Sequence, residues 1–252
     1  MRPWLFPRVV AHRGGGALAP ENTLAAMRCG VQHGFRAVEF DVMVAHDGVP
    51  VVIHDCQLGR TVVGDADIAS LTSVELAAMD AGSWFGEAFR GEPIPTFEQV
   101  ITFCRDNHVW MNIEIKPSPG TEIDTGRIVA ALVQQWVDRD DPVQPLLSSF
   151  SFEAMQAAQI AAVALPRGWL VDRIPAHWQQ QLDRLDAVAL HANQKYLTQA
   201  LVDEVKSAGY GLFCYTVNNP KRAAQLFEWG VDAVCTDRLD LINPGFGDTY
   251  FS

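Results

Sequence analysis

Three carboxylates stand singly among apolar residues: Glu39 and Asp41 in Val38-Glu39-Phe40-Asp41-Val42, and Glu114 in Ile113-Glu114-Ile115. An acid in such a run is costly to bury unless positive charge compensates it. Core salt bridges could supply that charge, but three such acids are better explained by an all-oxygen site for a hard divalent cation, Mg2+ or Ca2+. Zinc would call for more imidazole or thiolate than the two histidines of this group provide. Those two, His12 and His54, each end an apolar run. A pair of imidazoles near neutral pKa can divide general-base and general-acid roles within one reaction. Arg13 and Lys116 bring positive charge suited to a phosphate, arginine as a fork of donors and lysine as a point charge. His33, His46, His108 and His177 lack this setting and read as structural.

Gly14-Gly15-Gly16 matches neither a Walker A loop nor a dinucleotide fingerprint. It is either a tight turn needing unusual dihedrals or a place where backbone approaches a ligand closely. In Pro20-Glu21-Asn22-Thr23, Asn22 or Thr23 reads as a helix N-cap, and Glu21 is a candidate substrate contact.

These residues need a scaffold that collects strand ends. Short apolar runs alternate with stretches of helical period, which is the mark of βαβ units around a parallel sheet. The expected strands are Arg8–His12, Ala37–Val44, Trp110–Ile115, Pro145–Phe150, Gly168–Asp172, Ala187–His191, Gly211–Val217 and Ala233–Thr236. Between them lie the expected helices Thr23–His33, Phe97–Asn107, Arg127–Val137, Phe152–Ala164, Trp178–Leu185, Gln199–Ala208 and Lys221–Trp229. Eight units predict a closed α/β barrel, and about 250 residues is the usual size for one such domain. Glu39 with Asp41, and Glu114 with Lys116, then share strand faces. One segment breaks the rhythm: Pro50–His54 reads as a returning hairpin strand, followed by an insertion from Cys56 to Phe97. An insertion between a barrel strand and its helix lies at the C-terminal face, so it is expected to wall the pocket. Trp84 and Phe85 are its candidate apolar contacts, with Tyr215 contributing from the seventh strand; core packing is the alternative for each aromatic.

Charge narrows the function classes. Nineteen basic against 30 acidic residues give a net charge of −11, which argues against nucleic acid and anionic membrane surfaces as partners. With 48% hydrophobic and 19% charged residues among 252, the chain is of globular composition. The five cysteines are widely spaced without a CxxC pair and read as reduced thiols; no apolar run is long enough to insert in a membrane. The beginning Met1-Arg2-Pro3-Trp4 lacks the features of a signal peptide, so a cytoplasmic location is expected. Whether the chain forms a homo-oligomer is left open.

The ordered set His12-Arg13-Gly14, Pro20-Glu21-Asn22-Thr23, Glu39-Phe40-Asp41, His54-Asp55, Glu114-Ile115-Lys116, Tyr215-Thr216-Val217-Asn218 and Thr236-Asp237 resembles the glycerophosphodiester phosphodiesterase family over nearly the whole chain. The stretches Val10–Ala25, Ala81–Pro95 and Tyr215–Cys235 look especially like its cytoplasmic bacterial members associated with sn-glycerol-3-phosphate uptake. The resemblance implies a TIM (β/α)8 barrel and metal-dependent hydrolysis of deacylated phospholipids to sn-glycerol 3-phosphate and an alcohol. It implies Glu39, Asp41 and Glu114 as metal ligands, His12 and His54 as the acid/base pair, Arg13 and Lys116 as phosphate contacts, and a cyclic phosphate intermediate. Ala45-His46-Asp47-Gly48 departs from the family, which often carries threonine and lysine before the Asp-Gly turn; an effect on local structure rather than chemistry is expected. A barrel glycosidase using two carboxylates would leave the histidines, Arg13 and Lys116 without work. A related lipid-cleaving phosphodiesterase would be expected to show export signals or an apolar membrane surface. A non-catalytic phosphodiester sensor would be expected to have lost one of the site residues, and none is lost.

Overall fold

The computed structural model describes residues 4–137 and 144–250. Its strands are β1 (Val9–Ala11), β2 (Ala37–Val44), β3 (Pro50–Val52), β4 (Trp110–Ile115), β5 (Leu146–Ser149), β6 (Arg167–Val171), β7 (Ala189–Asn193), β8 (Gly211–Tyr215) and β9 (Ala233–Thr236). All except β3 pair in parallel, in the order β1-β9-β8-β7-β6-β5-β4-β2, and a β1–β2 pairing at Ala11 and Val38 closes the ring. β3 runs antiparallel to β2 as the hairpin return. The result is the closed eight-stranded TIM (β/α)8 barrel expected.

Alternation along each strand divides the side chains between two environments. Val38, Phe40 and Val42 of β2 join the main apolar layer outside the barrel, with Phe97, Val100 and Ile101. The intervening Ala37, Glu39 and Asp41 therefore face the interior, where Ala37 packs with Val10, Phe213, Ala233 and Cys235. Among the described residues, seven α-helices flank the strands as barrel helices: α1 (Leu24–Gln32), α3 (Phe97–Asp106), α4 (Glu122–Trp136), α5 (Phe152–Ala161), α6 (Trp178–Arg184), α7 (Gln199–Ser207) and α8 (Pro220–Glu228). After β9 the described chain has turns and a short 3-10 segment, Asp248–Tyr250, in place of an eighth α-helix. Pro244, Gly245 and Gly247 in that stretch disfavour a helix interior.

The insertion carries the five-residue helix α2 (Ser73–Ala77) and a core of its own. Leu58, Val62, Ile68, Leu76, Ala81 and Ile94 pack there against Met43, Ala45, Val51 and Ile53 of the hairpin. In the turn from Ala45 to Gly48, Ala45 is buried in this core, and Asp47 accepts hydrogen bonds from the Ser73 amide and hydroxyl. No helix among the described residues is long and apolar enough to cross a membrane.

Inside the barrel lies a histidine absent from the sequence candidates. His191 is fully buried and stacks on Phe213 with ring centroids 4.6 Å apart. A Cβ on Gly168 would come within 2.3 Å of its Nε2, so glycine on β6 makes room for the ring. Burial pushes the His191 pKa down to about 3. The unfolded imidazole takes up a proton below its ordinary value of 6.5 while the folded one stays neutral, so stability falls as pH drops from about 6.5 toward 3. The expected contribution is at most about 1.4 kcal/mol per pH unit, and a His191→Leu variant should lose it. Urea unfolding of both proteins at pH 7 and pH 4.5 measures this; a stability difference that does not change with pH would contradict it.

Candidate active site

The C-terminal ends of β1, β2 and β4 and the end of the β2–β3 hairpin gather the carboxylates and histidines. In the β2–β4 register Asp41 stands opposite Glu114, with Glu39 two residues back on the same face. Ligand oxygens of Glu39, Asp41 and Glu114 lie within 4.8 Å of one another. Glu39 and Asp41 are buried and Glu114 is half-buried. Burial lifts the Glu39 and Glu114 carboxyls above the ordinary range, and the charge of Asp41 lifts both further. Burial also opposes ionisation of Asp41, but Lys116, Arg13, His54 and a hydrogen bond from Asn22 outweigh it and hold that carboxyl low. Asn22 Nδ2 donates to Asp41 Oδ2 at 2.8 Å, and the Asp41 amide donates to Asn22 Oδ1 at 3.2 Å. Two neighbouring acids driven toward neutrality for want of countercharge, in an oxygen-only donor set, fit a hard divalent cation.

Both histidines are held by a carboxylate at Nδ1. His12 Nδ1 lies 2.5 Å from Asp237 Oδ1. Asp237 is in turn gripped by Asn218, whose Nδ2 donates to Oδ2 at 2.7 Å and whose Oδ1 accepts from the Asp237 amide at 2.8 Å. His54 Nδ1 lies 2.7 Å from Asp55 Oδ1. With Nδ1 donating to an ionised carboxylate, Nε2 is left as the proton-accepting nitrogen of the neutral ring; His12 Nε2 is 3.8 Å from Glu39 Oε2. The rings are biased in opposite directions. Burial disfavours the charge on His12, but the Asp237 bond and nearby Glu39 prevail and raise its pKa. Burial lowers the pKa of His54, with Arg13 and Lys116 adding to it against Asp41 and Asp55.

The loop after β1 bends sharply, with Arg13 at φ +50°, Gly14 at +86°, Gly16 at +54° and Asn22 at +60°. A Cβ on Gly16 would lie 2.3 Å from the Asp237 carbonyl oxygen, so this glycine serves the approach of the loop to the Asp237 backbone. Thr23 is the N-cap of α1, accepting from the Ala26 amide, which frees Asn22 for Asp41. The Arg13 amide donates to Glu39 Oε2 at 3.1 Å and its Nη1 to Glu21 Oε1 at 2.6 Å. Its Nε is 3.7 Å from Asp41 Oδ2; this buried nitrogen has no hydrogen bond among the described residues. Lys116 Nζ is 3.5 Å from Asp41 Oδ1. Both Glu21 oxygens are engaged by arginines, Arg13 and Arg60.

The aromatic candidates have contacts of their own. Trp84 is 45% exposed and donates from Nε1 to the Ala81 carbonyl; it meets Phe85 edge-on, and Phe85 meets Phe89. Ala81, Thr61 and Ile94 of the insertion line a small cavity together with Glu21, Asn22 and His54, so the insertion reaches the site beside His54, with Trp84 three residues beyond. Tyr215 donates its hydroxyl to the Val171 carbonyl at 2.9 Å and its ring meets Phe150 edge-on at 5.8 Å. A larger cavity, of about 540 Å³, is lined by Arg36, Cys104, Trp110, Trp136 and Gln144 and contains none of these carboxylate–histidine pairs. The sequence alone assigns no role to the partners Asp237, Asn218 and Arg60.

Known proteins resemble the chain in sequence and in fold. The chain is similar to a glycerophosphodiester phosphodiesterase of Caldanaerobacter subterraneus, with 32% identity over 234 residues covering 91% of this chain and 93% of that protein. A glycerophosphodiester phosphodiesterase of Bacillus subtilis is 30% identical over 251 residues, covering 93% and 84% respectively. Among solved structures, an Oleispira antarctica phosphodiesterase in complex with the product sn-glycerol-3-phosphate is 36% identical with a TM-score of 0.89, covering 97% of this chain and 96% of that one. The model of the glycerophosphoryl diester phosphodiesterase family matches residues 12–241, nearly the whole barrel, and the chain belongs to that family.

Proposed function

We propose that this protein hydrolyses glycerophosphodiesters such as glycerophosphocholine and glycerophosphoethanolamine to sn-glycerol 3-phosphate and the free alcohol. The observation that carries this reading is the pair of histidines, each with Nδ1 on a carboxylate, beside three clustered acids. In the reading we favour, one histidine removes the proton of the glycerol 2-hydroxyl, whose oxygen forms a bond to phosphorus. The bond from phosphorus to the alcohol oxygen breaks, and the other histidine gives that oxygen its proton. Water then opens the cyclic phosphate with the roles reversed. Arg13 and Lys116 orient the phosphate and offset its charge, and Glu21 acts on Arg13 by fixing its guanidinium. Glu39, Asp41 and Glu114 would hold a divalent cation, Mg2+ or Ca2+, which when bound supplies further positive charge against the phosphate oxygens. Trp84, Phe85 and Tyr215 contribute apolar surface at the rim for the alcohol, and the rest of the insertion walls the pocket.

Choline release from glycerophosphocholine tests this, with sn-glycerol 3-phosphate measured as the co-product. Chelation should abolish turnover and Mg2+ or Ca2+ should restore it, while Glu114→Gln should weaken metal affinity. Full activity after exhaustive chelation, or an unchanged affinity in Glu114→Gln, would contradict the metal assignment.

A further inference from the structure

Among the described residues, Arg60 is the one side chain that reaches both arms of the site from the insertion. Its Nη1 and Nη2 donate to Glu21 Oε2 and Oε1, each at 2.7 Å, and its Nε donates to Asp55 Oδ2 at 2.6 Å. Glu21 Oε1 also holds Arg13, and Asp55 Oδ1 holds His54 Nδ1. The chain of contacts therefore runs from Arg13 through Glu21, Arg60 and Asp55 to His54. The turn that carries Arg60 is anchored independently. Leu58 and Val62 on either side are buried in the insertion core, and the Gly59 amide donates to the Val62 carbonyl at 2.8 Å.

All three guanidinium nitrogens point to carboxylates, which leaves Arg60 poorly placed to serve as a phosphate ligand. A planar fork satisfies two carboxylates at fixed angles, which a single ammonium cannot do. Its side chain is 46% exposed, so these ion pairs add little to folding stability. Their weight falls instead on the orientation of groups that must be aimed within a fraction of an ångström.

We infer that Arg60 is a positioning residue that sets the orientation of His54 and of Arg13 at once, so that docking of the insertion assembles the catalytic geometry. This rests on the acid/base role of His54 and the phosphate role of Arg13 proposed above. Removal of Arg60 frees Asp55 to leave His54 Nδ1, and the imidazole loses the bond that selects its tautomer.

The test is Arg60→Ala beside Arg60→Lys, each with metal supplied and glycerophosphocholine as substrate. Arg60→Ala should lose on the order of 10- to 100-fold in kcat with a smaller rise in KM from the loosened Arg13, and Arg60→Lys should recover part of the loss. The nitrogen resonances of the His54 ring, measured on the same proteins without substrate, should shift from a single Nδ1–H tautomer to a mixture in Arg60→Ala. A raised KM with kcat intact would mean that Arg60 contacts substrate, and would overturn the inference. So would a fall in kcat with unaltered His54 resonances, or no change in either. Should the wild-type protein fail to cleave glycerophosphodiesters, the proposed function falls, while the ring resonances still decide whether Arg60 orients His54.

Discussion

Alanine in place of either His12 or His54 is expected to lower kcat by roughly 10²- to 10⁴-fold, the usual worth of a positioned proton-transfer group. The proposed reaction moves two protons in each half, one off an attacking hydroxyl and one onto a departing oxygen, so loss of either ring would stall a step that the other cannot perform. Neither side chain belongs to the apolar cores, and both alanine variants should fold, which circular dichroism and thermal unfolding would verify. Asp237→Asn is the finer probe of the same idea. The amide preserves size but can present its NH2 to His12 Nδ1, which favours the other tautomer and takes the acceptor lone pair off Nε2. Its kcat should fall with little change in KM, because Arg13 and Lys116, the proposed phosphate contacts, are untouched. A histidine variant that keeps near wild-type turnover would remove that residue from the mechanism.

How far the sequence reveals such a site depends on whether a residue's role is local. β2, β4 and β9 match the expected spans to the residue, and a charged residue flanks each on at least one side: Arg36 before β2, Lys116 after β4, Asp232 and Asp237 around β9. β7 lies two residues beyond the expected Ala187–His191. Ala187 and Val188 are as apolar as Ala189 and Leu190, and only pairing with β6 and β8 decides where the ladder starts; a shift of two leaves the inward face unchanged. α4 begins at Glu122, five residues before the expected start. Gly126 has a low intrinsic helix propensity, yet a Cβ there would lie 2.1 Å from the Ala154 carbonyl oxygen, so it is the point where α4 meets α5.

The site divides the same way. Carboxylates and histidines at strand ends are legible because strand alternation alone puts them on one rim. Asp237 stands 225 residues from the His12 it holds, and Arg60 stands 39 from Glu21; no spacing rule links them before barrel closure and the insertion core are known. Asn22 is open to reading as a cap because asparagine often caps helices, but Thr23 does that work one residue later and Asn22 turns back to Asp41. The glycine triplet allows two readings from sequence, and Gly16 resolves by a third contact, the backbone of Asp237.

A substrate analogue lacking the glycerol 2-hydroxyl is expected to bind and to resist cleavage, the largest effect that a change in substrate alone should produce. The attacking oxygen in the favoured mechanism belongs to the substrate, held next to phosphorus by the glycerol backbone. Intramolecular placement of this kind can be worth roughly 7 to 11 kcal/mol relative to a reactant drawn from solution. The 2-deoxy compound keeps the phosphate charge, the leaving alcohol and every contact that Arg13 and Lys116 would make, so its inhibition constant against glycerophosphocholine should lie near the KM of the parent. Variation at the other end should matter far less, since the leaving alcohol needs only a proton: choline, ethanolamine and glycerol esters should all be cleaved, with modest differences set by Trp84, Phe85 and Tyr215 at the rim. Hydrolysis of the 2-deoxy compound at a rate comparable to the parent would mean that a histidine activates water directly against phosphorus. That result would remove the cyclic phosphate from the mechanism while leaving the roles of the three carboxylates, Arg13 and Lys116 as they are, because a direct attack by water builds the same charge on the same phosphate oxygens.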